Sequence, residues 1–370
     1  MKIDYQLKTA SERRQQPYIP HGDVGFGKLR TDHMFLMDYK DGEWLNPRIV
    51  PYGPMQMMPG AMCIHYGQSI FEGAKAFMHD DGEIYTYRID KNAERMNNSA
   101  EIVCIPKLDE QVQIEAIHAL IDVDRLWFPK QEGACFYIRP FIFATEDKLA
   151  VSPSQEYTFC VVISPSGAYY SKPKEEQIDN DEDGIRLLIS KKFHRAVSGG
   201  TGASKAAGNY AASLRAGKAA AEYGAAQVLY LDATNTQIEE VGAMNHFHVR
   251  KDGTIVIPTF TDTILKSITS QSIMELGEML GCEVRQETIL LDEFIADIEA
   301  GEIIEAGGFG TAAVVSPVGS YIFEDGRVVT VGDGKVGQHV KNMRKLYTDL
   351  QAGRQKAPNG WLKKVEHRNR

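Results

Sequence analysis

Ser198–Tyr210 reads S-G-G-T-G-A-S-K-A-A-G-N-Y. Three glycines (Gly199, Gly200, Gly202) precede one lysine, Lys205, and Gly208, Asn209 and Tyr210 then open an alanine-rich helix. Lys205 is thereby held on a loop whose backbone can take conformations closed to residues with a side chain. A lysine in a tight, partly dry pocket is a usable amine nucleophile, as a Schiff base with an aldehyde cofactor requires. Two other readings fit the same letters. Most lysines are solvated surface charges, and a glycine-rich run ending in lysine also suggests a phosphate loop. The G-x-x-x-x-G-K-[ST] pattern fails, because Ser204 precedes the lysine and Ala206 follows it.

The surrounding chain has 370 residues, enough for two domains with separate cores. Its 43% hydrophobic and 25% charged fractions are those of an ordinary globular protein. A net charge of −9 argues against nucleic acid as a partner. No apolar run approaches a membrane span. The stretch M-K-I-D-Y-Q-L-K reads as neither a secretion signal, lacking the apolar core, nor a transit peptide, being short and holding an acidic residue. Cys63, Cys104, Cys135, Cys160 and Cys282 are odd in number and scattered, which points to reduced thiols in a cytoplasm and to no metal pair.

Residues 1–60 are loop-rich and punctuated by prolines, with a strand at His33–Tyr39. Met62–Phe77 predicts a helical turn running into a strand, and D-D-G at Asp80–Gly82 a hairpin. Helices are expected over Asp90–Cys104, with Asp90 as N-cap, and Gln111–Trp127. Strands are expected over Cys135–Ala144 and Tyr157–Ser164. The charged stretch Ser171–Gly184 reads as a connector. Beyond it, Ile185–Ser190, Gln227–Leu231, His246–Arg250 and Thr254–Ile257 read as strands. Asn209–Tyr223 reads as a helix closed by Gly224, with further helices at Thr269–Leu280 and Leu291–Ala300. Glu302–Glu305 and Ala312–Val315 read as short strands around a glycine-rich loop, Ala306–Thr311, and the tail Lys363–Arg370 as a solvated end. The expected domains are 1–168, small and N-terminal, and 184–370, larger and C-terminal, joined by a linker at 169–183.

An aldehyde cofactor such as pyridoxal 5′-phosphate (PLP) needs a lysine, a carboxylate against its pyridine nitrogen and an anion cradle for its phosphate. Lys205 is the candidate amine. In I-E-E-V-G-A-M-N (Ile238–Asn245), Glu240 points inward and Glu239 outward if Val241 packs opposite; a surface glutamate is the competing reading. The start of a helix at Ser267-Ile268-Thr269 and the loop Gly307–Thr311 offer backbone N–H groups, though either could be ordinary turn chemistry. Arg95 and Arg139 are candidate fixed cations or structural ion-pair partners.

Six segments in order carry a resemblance: H-Y-G-Q-S-I-F-E-G-A-K-A-F (His65–Phe77), N-A-E-R-M-N-N-S-A (Asn92–Ala100), Y-I-R-P (Tyr137–Pro140), the Lys205 segment, E-V-G-A-M-N, and G-F-G-T-A-A around Phe309. From about Pro51 to about Pro317 the chain resembles the branched-chain amino acid aminotransferases, PLP enzymes of fold type IV. The resemblance implies an α+β / α/β protein of two domains, similar to D-amino acid aminotransferase. A small α+β domain and a larger pseudo-barrel domain would carry the site at their interface. It implies amino transfer from L-leucine, L-isoleucine or L-valine to 2-oxoglutarate by a ping-pong route, in a homodimer or higher homo-oligomer. By the same resemblance Lys205 binds PLP and moves the proton, Glu240 meets the pyridine nitrogen and Tyr210 the phenolic oxygen. Arg95, Ile268, Thr269 and Thr311 hold the phosphate. Ala312 and Ala313 face the substrate carboxylate, while Tyr66, Phe71, Tyr137 and Tyr169 wall the side-chain pocket. Arg139 assists glutamate, and Val151 lies in a loop reaching a partner's site. D-amino acid aminotransferase or aminodeoxychorismate lyase is the alternative on the same fold; a non-catalytic nucleotide binder is the alternative from another class.

The chain departs from the family at three places. Leu265-Lys266-Ser267-Ile268-Thr269-Ser270 replaces the usual L-P-G-[IV]-[TV]-R. Ala313 and Ser316 stand where animal members carry C-x-x-C, and Ala243 where threonine is common.

Overall fold

A computed structural model describes residues 1–13, 24–131, 133–167, 183–311 and 314–368. Tyr169, Ala312, Ala313 and nearly all of the 171–184 connector lie outside the described residues. The chain forms two compact units: Met1–Glu176 with Ser204–Ala207 and Leu350–Arg370, and Gln177–Ala203 with Gly208–Asp349.

The first unit is built on a sheet running Asp4–Tyr5, Glu43–Pro51, His33–Lys40, Tyr157–Ser166, Cys135–Ala144, Ala74–Met78, Ile84–Tyr87, Leu362–Lys364, with Ser69–Phe71 also paired to Cys135–Ala144. Apolar side chains of its central strands, among them Phe35, Phe136, Ile138 and Phe159, meet helices Ile89–Ile102 and Glu110–Val123 in one core. Asp109 caps the second helix by accepting from the Val112 N–H at 3.0 Å. The first helix begins differently from expectation. Arg88, with φ +48°, is its N-cap residue, and Asp90 sits inside the first turn. Its buried face is unusual in composition: Asn92, Arg95 and Ser99 lie on it beside Ile89, Ala93, Met96 and Ala100. Buried polar groups on a helix face need partners, and these three supply part of the site.

The described part of the tail, to Arg368, is held by the body. Leu362–Lys364 pairs antiparallel with Ile84–Tyr87, Val365 is fully buried, and its N–H donates to the Ile84 carbonyl. A single apolar residue, Val365, anchors a segment whose composition is otherwise that of a solvated end.

In the second unit a ring of strands closes on itself. Ile238–Val241 pairs with Gln227–Leu231, then follow Ile185–Ile189, Val314–Phe323, Ile303–Gly310 and Met244–Arg250, which pairs back to Ile238–Val241. This closure, which removes free edges, is the expected pseudo-barrel. Ile255–Pro258 and Val284–Glu287 extend from it. Helix Leu291–Glu299 buries Leu291, Phe294, Ile295 and Ile298 in one core. Ala216 and Ala220 of helix Ala207–Glu222 pack in another, against Leu188, Val228 and Tyr230.

The glycine-rich loop expected at Ala306–Thr311 is instead the end of a continuous strand, Ile303–Gly310, paired on both edges. The glycines serve close packing: a Cβ on Gly307 would lie 2.4 Å from the Ser316 carbonyl oxygen and 2.5 Å from the Phe247 ring. Backbone there belongs to the sheet ladders, so Gly307–Gly310 is no free anion cradle.

Candidate active site

Lys205 sits just before helix Ala207–Glu222, held by its own backbone. Its N–H donates to Ser99 Oγ at 2.9 Å, and its carbonyl accepts from the Phe71 N–H at 3.1 Å. Ala206 forms a bridge with Ile70. The side chain is half-buried, with Nζ 4.7 Å from the centre of the Phe71 ring. The Arg139 guanidinium lies over the aromatics of this cluster, 4.6 Å from Phe71 and 5.3 Å from Tyr137, and its Nη2 donates to the Tyr137 hydroxyl at 2.8 Å. The first unit thus brings Phe71, Tyr137, Arg139 and Lys205 together.

Arg95 is buried and makes a two-point contact with Glu72. Nε lies 2.7 Å from Oε1 and Nη2 2.8 Å from Oε2. Glu72 Oε2 also accepts from Asn92 Nδ2 at 2.7 Å and from the Gly73 N–H at 3.1 Å. Burial acts to raise the Glu72 carboxyl, but the positive charges of Arg95 and Lys205 and the Asn92 amide outweigh it and hold it below the usual carboxylate range. Glu72 is a residue that sequence reasoning missed; its signal was an acid inside F-E-G-A-K-A-F, between residues that read as strand.

In the second unit Glu240 is buried in strand Ile238–Val241. Oε1 accepts from the Leu265 N–H at 2.8 Å and from Asn245 Nδ2 at 3.3 Å, and Oε2 lies 3.1 Å from Arg195 Nε. Glu239 was expected to face outward and is instead buried, accepting from Thr263 Oγ1. Successive strand residues do point to opposite faces, but here both faces are covered. Burial raises the Glu239 carboxyl, in keeping with a group that the fold holds away from water.

The altered segment Leu265–Ser270 keeps its shape by new means. Ser267 is the N-cap of helix Ile268–Glu275, and its hydroxyl accepts from the Ser270 N–H at 3.3 Å. Asn245 ties the turn to Glu240: Oδ1 accepts from the Ser267 N–H at 3.1 Å and from Ser270 Oγ at 2.9 Å, while Nδ2 donates to the Leu265 carbonyl. Ile268 and Thr269 are the first residues of the helix, where backbone N–H groups have no intrahelical acceptor and the dipole favours an anion. The expected helix to Leu280 breaks at Leu276 into two pieces.

Other expected residues are placed as follows. Tyr210 is half-buried in the first turn of helix Ala207–Glu222, and Thr311 directly follows strand Ile303–Gly310. Tyr66 ends a short helix, Met62–Tyr66, and is 39% exposed. Val151 is 88% exposed. Arg195 and Asn245 were also missed, since Glu240, the counter-charge of Arg195, lies 45 residues on, the turn that Asn245 ties lies 20–25 residues on, and no local period marks either.

Residues 69–321 match the family described as amino-transferase class IV. The chain belongs to that family and is an aminotransferase. It is 44% identical over 344 residues to branched-chain-amino-acid transaminase 1 of Bacillus subtilis (strain 168), covering 92% of this chain and 94% of that protein. It is 40% identical to branched-chain-amino-acid aminotransferase 2 of the same organism, covering 98% of each. Among solved structures, the branched-chain amino acid aminotransferase of Escherichia coli superposes with a TM-score of 0.72 at 27% identity, covering 90% of this chain and 99% of that one. That of Thermobaculum terrenum, solved in its PLP form, shares the fold with a TM-score of 0.71 at 24% identity, covering 90% and 98%.

The residues present fit the PLP cofactor of this family. The first unit supplies an amine beside an aromatic ring and a buried guanidinium. In the second, a buried carboxylate and a capped helix start with N–H groups free of intrahelical bonds supply the remaining chemistry.

Proposed function

We propose that the chain catalyses reversible amino transfer between L-leucine, L-isoleucine or L-valine and 2-oxoglutarate. The observation that carries this reading is the Phe71–Tyr137–Arg139 cluster beside Lys205. Two aromatic faces suit a branched apolar side chain and disfavour a charged one by desolvation. A single guanidinium on the same rings accepts the second carboxylate of glutamate, which lets one pocket serve both substrates. The names of the relatives support the same substrate class.

When bound, PLP supplies an electron sink for the pair left at Cα on proton loss. Lys205 Nζ would hold the cofactor and would carry the proton to and from the substrate Cα. Glu240 would keep the pyridine nitrogen protonated, and Arg195 holds a positive charge against that carboxylate. Arg95, the N–H groups of Ile268 and Thr269, and the Thr311 hydroxyl would hold the phosphate, and Tyr210 would orient the ring through the cofactor's phenolic oxygen. Tyr66 would complete the side-chain wall; the roles expected of Ala312, Ala313 and Tyr169 fall outside the described residues.

We place the protein in the cytoplasm as a homodimer. Its cysteines are free thiols. Leu149 and Val151 are 72% and 88% exposed on a loop tied to the body by Met62 N–H to Glu146 O and Lys148 N–H to Gly60 O. Met57, Met58 and Ile64, also exposed, belong to the same tied segments. Exposed apolar surface of this extent suits a second copy.

The test is an absorbance spectrum of the purified protein before and after L-leucine alone. A near-visible band that L-leucine shifts supports the reading. A band that responds only to D-alanine keeps the family and overturns the substrate. A fully active monomer in sedimentation overturns the dimer.

A further inference from the structure

The contacts around Glu72 form a closed circuit within the first unit. Phe71 donates its N–H to the Lys205 carbonyl, and Glu72, the next residue, grips Arg95 at two points. Arg95 lies one helical turn before Ser99, whose hydroxyl accepts the Lys205 N–H. Lys205 and Arg95 are therefore held in register from two sides, by the strand end carrying Phe71-Glu72 and by the helix carrying Arg95 and Ser99. Asn92 and the Gly73 N–H fix the carboxylate itself.

We propose that Glu72 is the positioning residue that sets the Arg95 guanidinium at a defined place relative to Lys205, and so fixes where a phosphate can sit on a cofactor attached to that lysine. The inference rests on the PLP reading above. An arginine in a two-point carboxylate grip has its guanidinium plane fixed in one orientation, which a single contact does not enforce. Glu72 is a monoanion facing Arg95 and Lys205, so its charge alone would weaken a bound phosphate. Its benefit to phosphate binding comes from geometry, and this separates the proposal from a simple charge effect.

Equilibrium binding to the apoprotein, followed by absorbance, compares PLP with pyridoxal, which lacks the phosphate. Glu72→Gln and Glu72→Asp both lose the two-point grip, and only the first loses the charge. Both are expected to weaken PLP by about tenfold or more while pyridoxal changes by less than about threefold. In an Arg95→Met background, Glu72→Gln should add no further loss of PLP affinity. Pyridoxal binding and thermal unfolding report whether each variant is folded, and Glu72→Asp decides if Glu72→Gln is not. Equal losses of PLP and pyridoxal, unchanged or tighter PLP binding by Glu72→Gln, or additive losses with Arg95→Met would overturn the proposal. Failure of the unaltered protein to bind either compound would instead overturn the PLP reading on which it rests.

Discussion

Arg195 Nε lies 3.1 Å from Glu240 Oε2, and Nη2 of the same guanidinium donates to the carbonyl of Gly202, at 3.0 Å, and to that of Thr263. One buried cation therefore joins the carboxylate, the glycine loop that leads to Lys205, and the segment that leads to helix Ile268–Glu275. Gly202 is required for that approach, since a Cβ there would lie 2.4 Å from Ala196 Cβ and 2.6 Å from the Thr263 carbonyl oxygen.

Arg195→Gln removes the guanidinium that faces the buried Glu240 carboxylate, and stability should fall by about 3 kcal/mol. Arg195→Lys keeps the charge but cannot span three acceptors, so it should fall between the two. Urea unfolding of the three proteins measures this; equal midpoints would show that the pair carries no weight.

Lys205→Ala should remove L-leucine transamination by at least about a hundredfold. The fold should persist, because the anchoring bonds at this position use the backbone N–H and carbonyl. A steady-state assay beside a circular dichroism melt tests both halves. Retained activity would mean that another lysine does the chemistry.

Ser99→Ala removes the acceptor of the Lys205 N–H. The cost expected for an unsatisfied, partly buried donor is about 1–2 kcal/mol. Amide exchange at Lys205 should quicken while distant strands such as Cys135–Ala144 stay protected.

His246 and His248 lie buried on one barrel strand against Phe294. Burial lowers both, His248 to about 3 and His246 well below its ordinary value. The unfolded chain takes up protons on these rings from about pH 6.5 downward, while the folded chain does not. Stability should therefore fall with pH between about 6.5 and 4.5, each histidine contributing up to about 1.4 kcal/mol per unit. His248→Leu should flatten that slope in urea titrations at about pH 7, 6 and 5. An unchanged slope would place the acid sensitivity elsewhere.

Gly307→Ala should destabilise the barrel by about 1–3 kcal/mol, since the added methyl group meets backbone oxygen and an aromatic ring. A thermal melt at unchanged PLP affinity would confirm that Gly307 serves packing and not the phosphate.

Local order determined much of this protein directly from sequence. Helix Ala207–Glu222, strands Cys135–Ala144 and Gln227–Leu231, and the hairpin around Asp80–Gly82 follow from period and turn chemistry that act over a few residues. Lys205, Glu240 and Arg95 stood out as candidates from their residue types and from the resemblance of their motifs to those of a known family. Tertiary structure decided the rest. The Ala306–Gly310 glycines became a strand because Phe247 and Ser316 approach from either side. Glu239 became buried, and the basic tail became a sheet edge through Val365. Glu72, Arg195 and Asn245 acquired their roles largely from partners remote in sequence: Arg95 for Glu72, Glu240 and Thr263 for Arg195, and the Leu265–Ser270 turn for Asn245. Hydrogen-bonding partners brought together by chain reversal leave no periodic trace in the sequence, and a buried charge is recognised only once its counter-charge has a position.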